Sequence, residues 1–323
     1  MATGLSLAAV QRGTALAGTV TTPDAGATPD AGATPVATPA GTPTSSGPSI
    51  LVRVEYVGGF VTPESSPTAV PTYQLTDDGR EISQGVQILI YPPPALPSLQ
   101  SATLTDEGMR IVLDAADTAG LTEVDREFIN PNVADLPNQV ITVTVDGRTV
   151  TTTAYGLDFL DPSDTSELAT ARDRIQPFLA LIANPPSLRS NGQVVEPETF
   201  YAFTALQYVA IPAASFPAAG EVSNIEGATQ TPPVAWPLET PLAEAGHPLE
   251  EAVGGEGFAG IFPNARVATI DGADLAAIRP LAEQANQLTI WQSEGEDWVL
   301  LLRPLLPGEV GNLARPANED QAV

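Results

Sequence analysis

The sequence predicts an α+β protein, and three features carry that expectation. Short runs of Val, Ile, Thr and Tyr alternate with polar residues as half-buried strands do. Two such runs are folded back by Asp-Gly-Arg turns, at Asp78-Gly79-Arg80 and Asp146-Gly147-Arg148. Each strand group is then followed by a segment with apolar residues at helical spacing. This order favours antiparallel sheets with helices packed on one face, in repeated strand-hairpin-helix units.

The first 48 residues stand apart. Leu5 to Val10 is shorter than the apolar core of a signal peptide, and Arg12 interrupts the apolar character soon after it. Ala15-Leu16-Ala17 resembles a small-residue cleavage site, while Leu16-Ala17-Gly18 ends as a lipoprotein signal does, with Thr19 where the lipidated cysteine belongs. From Thr21 to Pro48 the chain is almost wholly Thr, Pro, Ala, Gly, Ser and Asp, and Pro23 to Thr28 is repeated directly as Pro29 to Thr34. Such a segment has too few bulky apolar side chains to offset the entropy of ordering, and its Thr-Pro steps favour extended polyproline II. Residues 1–48 are therefore expected to be a degenerate export signal and a disordered Pro/Thr/Ala stalk reaching up to ~80 Å at about 3.1 Å per residue. A stalk of this kind places the folded part outside the cytoplasm, secreted or at the cell surface.

Two domains are expected after it, 49–186 and a smaller 187–310, with a flexible tail over 311–323. In the first, Ile50 to Val57 is a strand, Thr72 to Ile82 a hairpin, and Val86 to Tyr91 a further strand stopped by Pro92-Pro93-Pro94. Thr105 caps a helix carrying Met109, Val112, Leu113 and Ala116 on one face, and Gly120 ends it. Val140 to Tyr155 is the second hairpin, its Asp-Gly suited to a type I′ turn. A helix from about Ser163 comes next, with Leu168, Ala171, Ile175, Phe178, Leu179 and Ile182 inward and Pro177 bending it. Asn184-Pro185-Pro186 through Pro197 reads as the boundary. Beyond it lie a long strand from Phe200 to Ile211, an irregular Pro/Gly-rich stretch to Pro263, a strand at Arg266 to Ile270, a helix from Asp271 or Asp274, and a hairpin from Leu288 to Leu302. Past Pro307 the chain is expected to fray.

Val57-Gly58-Gly59-Phe60, Tyr73 to Arg80, the Asp-Gly-Arg hairpin, and Trp291 with Arg303-Pro304-Leu305-Leu306-Pro307 together resemble uncharacterised secreted or lipoprotein-like proteins of high-GC bacteria. The resemblance covers most of residues 50–310 and implies no activity.

Composition restricts the chemistry. The chain has no lysine and no cysteine, and its only histidine is His247. Thiol nucleophiles, lysine Schiff bases, P-loops and multi-ligand zinc sites are excluded, and no cofactor is implied. The formal charge of −26 sets 39 acidic residues against 13 arginines; it opposes nucleic acid and anionic lipid as partners, which are bound by clustered cations. No run of residues approaches the roughly 20 of a membrane-spanning helix.

What remains is carboxylate, hydroxyl and arginine chemistry. The pairs Asp77-Asp78 and Glu296-Asp297 fall in expected turns, where solvation explains them. Asp158, Asp161, Asp164 and Glu167 are spaced for oxygen ligation, yet lack the EF-hand pattern and are explained by helix capping, so no metal site is assigned. His247 is the one base available to a Ser-His-Asp hydrolase, but no nucleophile elbow accompanies it. Trp236, Trp291 and Trp298 are candidates for stacking on sugar or peptide, Trp291 and Trp298 more simply read as core beside a hairpin turn. The expected function is a non-enzymatic interaction or structural module at the cell envelope, with an envelope protein or glycan as partner. The alternatives are a carboxylate-dependent hydrolase of polysaccharide, requiring two facing acids in a cleft, and a protease-inhibiting or peptide-binding domain, requiring an exposed loop or open sheet edge.

Overall fold

The computed structural model describes residues 48–311 and 313, except 89, 162, 184–187, 189–191, 217–231 and 253–254. The export signal, all of the stalk but Pro48, the Asn184-Pro185-Pro186 stretch and most of the tail lie outside the described residues. The described residues form one compact α+β unit built on two sheets.

The strands of the first sheet are β1 (Ile50–Val57), β2 (Tyr73–Thr76), β3 (Arg80–Gln84), β4 (Leu99–Leu104), β5 (Arg126–Ile129), β6 (Asn138–Val145), β7 (Arg148–Tyr155) and β8 (Val194–Phe200). They lie side by side as β5-β7-β6-β1-β2-β3-β4-β8, antiparallel except for the β5–β7 pair. A short helix, α1 (Ser65–Thr68), follows β1; two longer ones are α2 (Asp106–Thr118) and α3 (Glu167–Ala183). Alternation sorts the strand side chains between the two faces. Val52, Val54, Tyr73, Leu75, Leu104, Ile141, Val143 and Ala154 point to the helices, where Val112, Ala116, Ile175, Phe178 and Ile182 meet them in one core.

α2 forms as its sequence directs. The Thr105 hydroxyl accepts from Gly108 N–H at 3.0 Å, and Asp106 and Glu107 occupy the positive first turn. At its other end Gly120 takes a φ of 75°, and the N–H groups of Leu121 and Gly120 return to the carbonyls of Ala116 and Asp117, closing a Schellman motif. α3 starts at Glu167, later than expected, because Asp161 and Asp164 accept from the N–H groups of Ser163 and Ser166 and hold that stretch in turns, while the Ser166 hydroxyl accepts from Ala169 N–H.

The second sheet comprises β9 (Ala205–Pro212), β10 (Val234–Ala235), β11 (His247–Pro248), β12 (Arg266–Asp271), β13 (Ile290–Ser293) and β14 (Glu296–Pro304), ordered β10-β13-β14-β9-β12-β11. The single turn α4 (Glu256–Ala259) precedes β12, and α5 (Gly272–Ala282) follows it. Leu206, Tyr208, Leu300 and Leu302 face α5 through Leu275 and Ile278. Val209, Ile211, Val299 and Leu301 face Phe216, Leu249 and Phe262 on the other side. Both faces are covered, so the central strands β9 and β14 read as continuous apolar runs.

The two sheets are joined through the face of the first that the helices leave bare. Ile82 and Leu99 pack there on Leu306. Around them an ionic cluster closes: Arg303, without solvent exposure, donates through Nη1 and Nη2 to both carboxylate oxygens of Glu309 at 2.9 and 2.8 Å. Arg53 of β1 donates to the same carboxylate at 2.7 Å, Leu306 N–H adds a bond at 2.9 Å, and Arg303 Nε reaches Ala69 O at 2.7 Å. Gln74 completes it by donating to Pro307 O at 2.9 Å. Burial works against the Glu309 charge, but the arginines and the Leu306 N–H outweigh it and hold the carboxyl below the usual glutamate range.

Several expectations are corrected. The described residues of the run Val86 to Tyr91, 86–88 and 90–91, are not strand: β3 pairs instead with Leu99–Leu104, and they lie in the connection between the two. The expected strand Phe200 to Ile211 is divided, Phe200 ending β8 and Ala205 beginning β9. β8 pairs with β4, so the chain returns to the first sheet beyond residue 187, and the division at 186/187 does not separate the sheets. Residues 308–311 do not fray, since Glu309 is locked by two arginines. The last hairpin turns on Glu294-Gly295, both with positive φ, which leaves Glu296 and Asp297 on β14.

Candidate binding end

Register places every strand end of the first sheet. The chain enters at Ile50, beside Thr76 of β2, and this near end carries the tight turns at Asp77 to Gly79 and at Asp146-Gly147, where Asp146 and Gly147 have φ of 52° and 74°. The far end is about 25 Å away, the length of an eight-residue strand. There β1 ends at Val57, β5 at Ile129, β7 at Tyr155 and β8 at Phe200, and the connections are long: residues 58–72, 85–98, 130–137 and 156–166.

The exposed apolar side chains gather at this far end. Phe60 is 91% exposed, Phe200 80% and Val86 79%, joined by Tyr56, Val57, Val61, Ile88, Ile90, Tyr91, Ile129 and Phe159. Among the described residues only Val124, Ile261 and Val310 are large, apolar and exposed elsewhere. The loop bearing Val86 to Tyr91 is pinned at both ends: Gly85 N–H donates to Ser98 O at 2.9 Å, and Ala95 N–H donates to Ala285 O at 3.0 Å beside the second sheet. Residues 84–94 contain no charged side chain.

A groove of about 720 Å³ opens at the same end between α3 and the sheet. Its floor is one lateral row of the sheet, Val54, Tyr73, Ser83 and Gln100, which continues to Phe200. α3 supplies the wall through Gln176, Leu179, Ala180 and Ala183, and Val86 stands on the opposite rim. A smaller pocket of about 100 Å³ adjoins it, sharing Tyr56, Gln139, Asp158, Gln176 and Leu179. Gln139 donates to the Tyr56 hydroxyl at 2.9 Å, Gln84 to Val70 O at 3.3 Å, and Gln176 to Asp158. Each of these glutamines spends one N–H in this way and keeps its second N–H and its carboxamide oxygen for a ligand. Among the described residues no arginine lines the groove, and Arg172 in the adjoining pocket is paired with Asp173.

The residues singled out in the sequence lie elsewhere. Trp291 and Trp298 are opposite one another in the β13–β14 register and buried, so neither offers a face to a ligand. Trp236 meets Trp291 edge-on at 6.1 Å and Tyr208 at 5.5 Å, with its Nε1–H donating to Thr240 O; the three tryptophans belong to the core of the second sheet. His247 sits on the edge strand β11, its Nδ1 3.2 Å from Pro248 O, beside a cavity of about 680 Å³ that also touches Tyr208 and Asp274. Burial, with Asp274 nearby, pushes the Tyr208 hydroxyl up to about 12, which keeps it protonated.

The acids are structural. Asp161 and Asp164 are exposed and held below the ordinary aspartate range by the Ser163 and Ser166 groups they accept from, and Asp78, against slight burial, by the Thr76 hydroxyl and Arg80 N–H. A general acid needs the opposite shift. Of the well-buried acids, Glu81 lies on the helix side, 3.4 Å from the Tyr73 hydroxyl, whereas Glu309 lies against the other face. They cannot flank one substrate. Among the described residues no group of acids and histidine is placed to hold a metal ion, and no helix is long and apolar enough to cross a membrane.

Comparison with protein families, with curated proteins and with solved structures finds no match for this chain.

Proposed function

We propose that the protein is a non-enzymatic docking module that binds another macromolecule of the cell envelope through the far end of its eight-stranded sheet. The observation that carries this is the concentration of exposed apolar side chains on long loops at one end, where a monomeric surface ordinarily scatters them. The opposite end has tight, polar Asp-Gly turns and receives the Thr/Pro-rich segment. That polarity fits display on a stalk outside the cytoplasm, with the apolar end turned outward. Protein is favoured as the partner, because interface cores are built from such aromatic and aliphatic anchors.

Sheet-edge pairing has less support. β8 carries Pro197 and irregular register against β4, β5 has four residues, and β10 and β11 have two each, so every edge is short or broken. A hydrolase lacks the facing pair of acids among the described residues.

The double variant Phe60→Ser/Ile88→Ser tests the docking reading, since both side chains are exposed and removing them leaves the core intact. Chemical cross-linking in envelope preparations should yield a defined adduct with the unaltered chain and at least tenfold less with the variant, at unchanged unfolding midpoint. Equal cross-linking by both, or release of sugar from envelope glycans by the purified chain, would overturn it.

A further inference from the structure

We infer that the groove between α3 and the strand ends binds an extended peptide segment free of acidic side chains; this rests on the docking reading and names the chemistry of the partner. The lining is rich in carboxamides, includes the Asp158 carboxylate and, among the described residues, holds no cation. Among the described residues the carboxamide oxygens of Gln84, Gln139 and Gln176 have no protein donor, and Gln100 and Ser83 make no side-chain hydrogen bond. A ligand carboxylate would find carboxamide N–H groups but no cation to offset its desolvation, and it would stand beside the Asp158 carboxylate that also lines the groove. An extended backbone instead presents N–H donors at regular spacing, and the carboxamide of Gln100 offers both a donor and an acceptor to a peptide group. The formal charge of −26 adds a field that repels acidic segments and attracts basic ones.

The apolar part of the lining favours peptide over glycan. Leu179, Ala180, Ala183 and Val86 form walls suited to aliphatic side chains, and an extended chain directs alternate side chains to one wall. Sugar rings are held by stacking on an open aromatic face. Of the two rings in the lining, Tyr73 is only 2% exposed and Tyr56 stands partly exposed at the rim, while the open ring of Phe200 lies beyond the lining at the end of the row. The groove's volume of about 720 Å³ suits a short segment rather than a whole domain.

The test is selection from a phage-displayed library of random nonapeptides on the immobilised full chain, repeated with Ala180→Trp. Ala180 is exposed on α3, so the indole fills the groove without disturbing the core. Selected peptides should be depleted of Asp and Glu and carry apolar residues at alternate positions. Ala180→Trp should weaken them at least tenfold, and Phe60→Ser/Ile88→Ser should leave the isolated peptides bound. No enrichment, enrichment of acidic peptides, or affinity indifferent to Ala180→Trp would overturn the assignment. Enrichment of the chain's own Thr-Pro repeat, or Ala180→Trp-sensitive binding of neutral oligosaccharides in place of peptides, would equally overturn it. Peptide selection that succeeds while cross-linking is unaffected by Phe60→Ser/Ile88→Ser would retain the groove and reject the apolar end as the docking surface.

Discussion

Arg303 has no exposed side-chain surface, yet its charge is tolerated because Glu309 meets it with two parallel hydrogen bonds. Removing one partner of such a pair is far more damaging than removing both. Glu309→Gln should therefore lower stability by about 3–5 kcal/mol, read from the denaturant midpoint, whereas Arg303→Met combined with Glu309→Leu should recover much of the loss. The same carboxylate gives an acid-side signature. Its folded value lies below the ordinary glutamate value, so its stabilisation is fully present above that ordinary value and is lost as pH falls through the folded one. Between about pH 6 and about pH 3 the unaltered chain should lose stability more steeply than Glu309→Gln; parallel slopes would show that other groups govern acid unfolding. Nothing in the sequence marks this cluster, because Arg53 and Glu309 are separated by 256 positions and Glu309 stands in a Pro/Gly-bounded tail that reads as loose.

Elements whose determinants are local were legible. α2 has its cap, its apolar spacing and its terminal glycine within one stretch of sequence, and it forms as that pattern directs. Thr105→Ala should cost about 1 kcal/mol through the lost cap, with some further loss because the Thr105 hydroxyl also donates to Gln193 at 2.8 Å. The unfolding midpoint checks this, and amide exchange at Gly108 should quicken. Both Asp-Gly hairpins were legible for the same reason. Elements that depend on a distant partner were not. Val86 to Tyr91 has the composition of a strand and no neighbour to pair with, while Leu99–Leu104 pairs on both sides despite a weaker pattern. The candidate site was hidden in the same way. Gln84, Gln100, Gln139 and Gln176 carry no common spacing and meet only through the register of five strands and the placement of α3. The aromatic residues that did attract notice were those needed to build a core.

At the scale of the whole molecule, 39 acidic side chains against 13 basic ones set up a self-repulsion that added salt screens. Raising ionic strength from about 10 mM to about 150 mM, which shortens the screening length from roughly 30 to roughly 8 Å, should raise the thermal midpoint at neutral pH. A fall would indicate that the Arg53–Glu309–Arg303 cluster and other ion pairs outweigh the net repulsion. The sequential distance within that cluster has a consequence for biogenesis. β1 is the first strand of the described residues, and its Arg53 is completed by Glu309, 256 positions later. A chain emerging from the ribosome therefore has its helices and hairpins early, but the clasp between its sheets closes only after residue 309 has been synthesised. Until then one face of the first sheet, with Ile82 and Leu99, lacks its cover of Leu306.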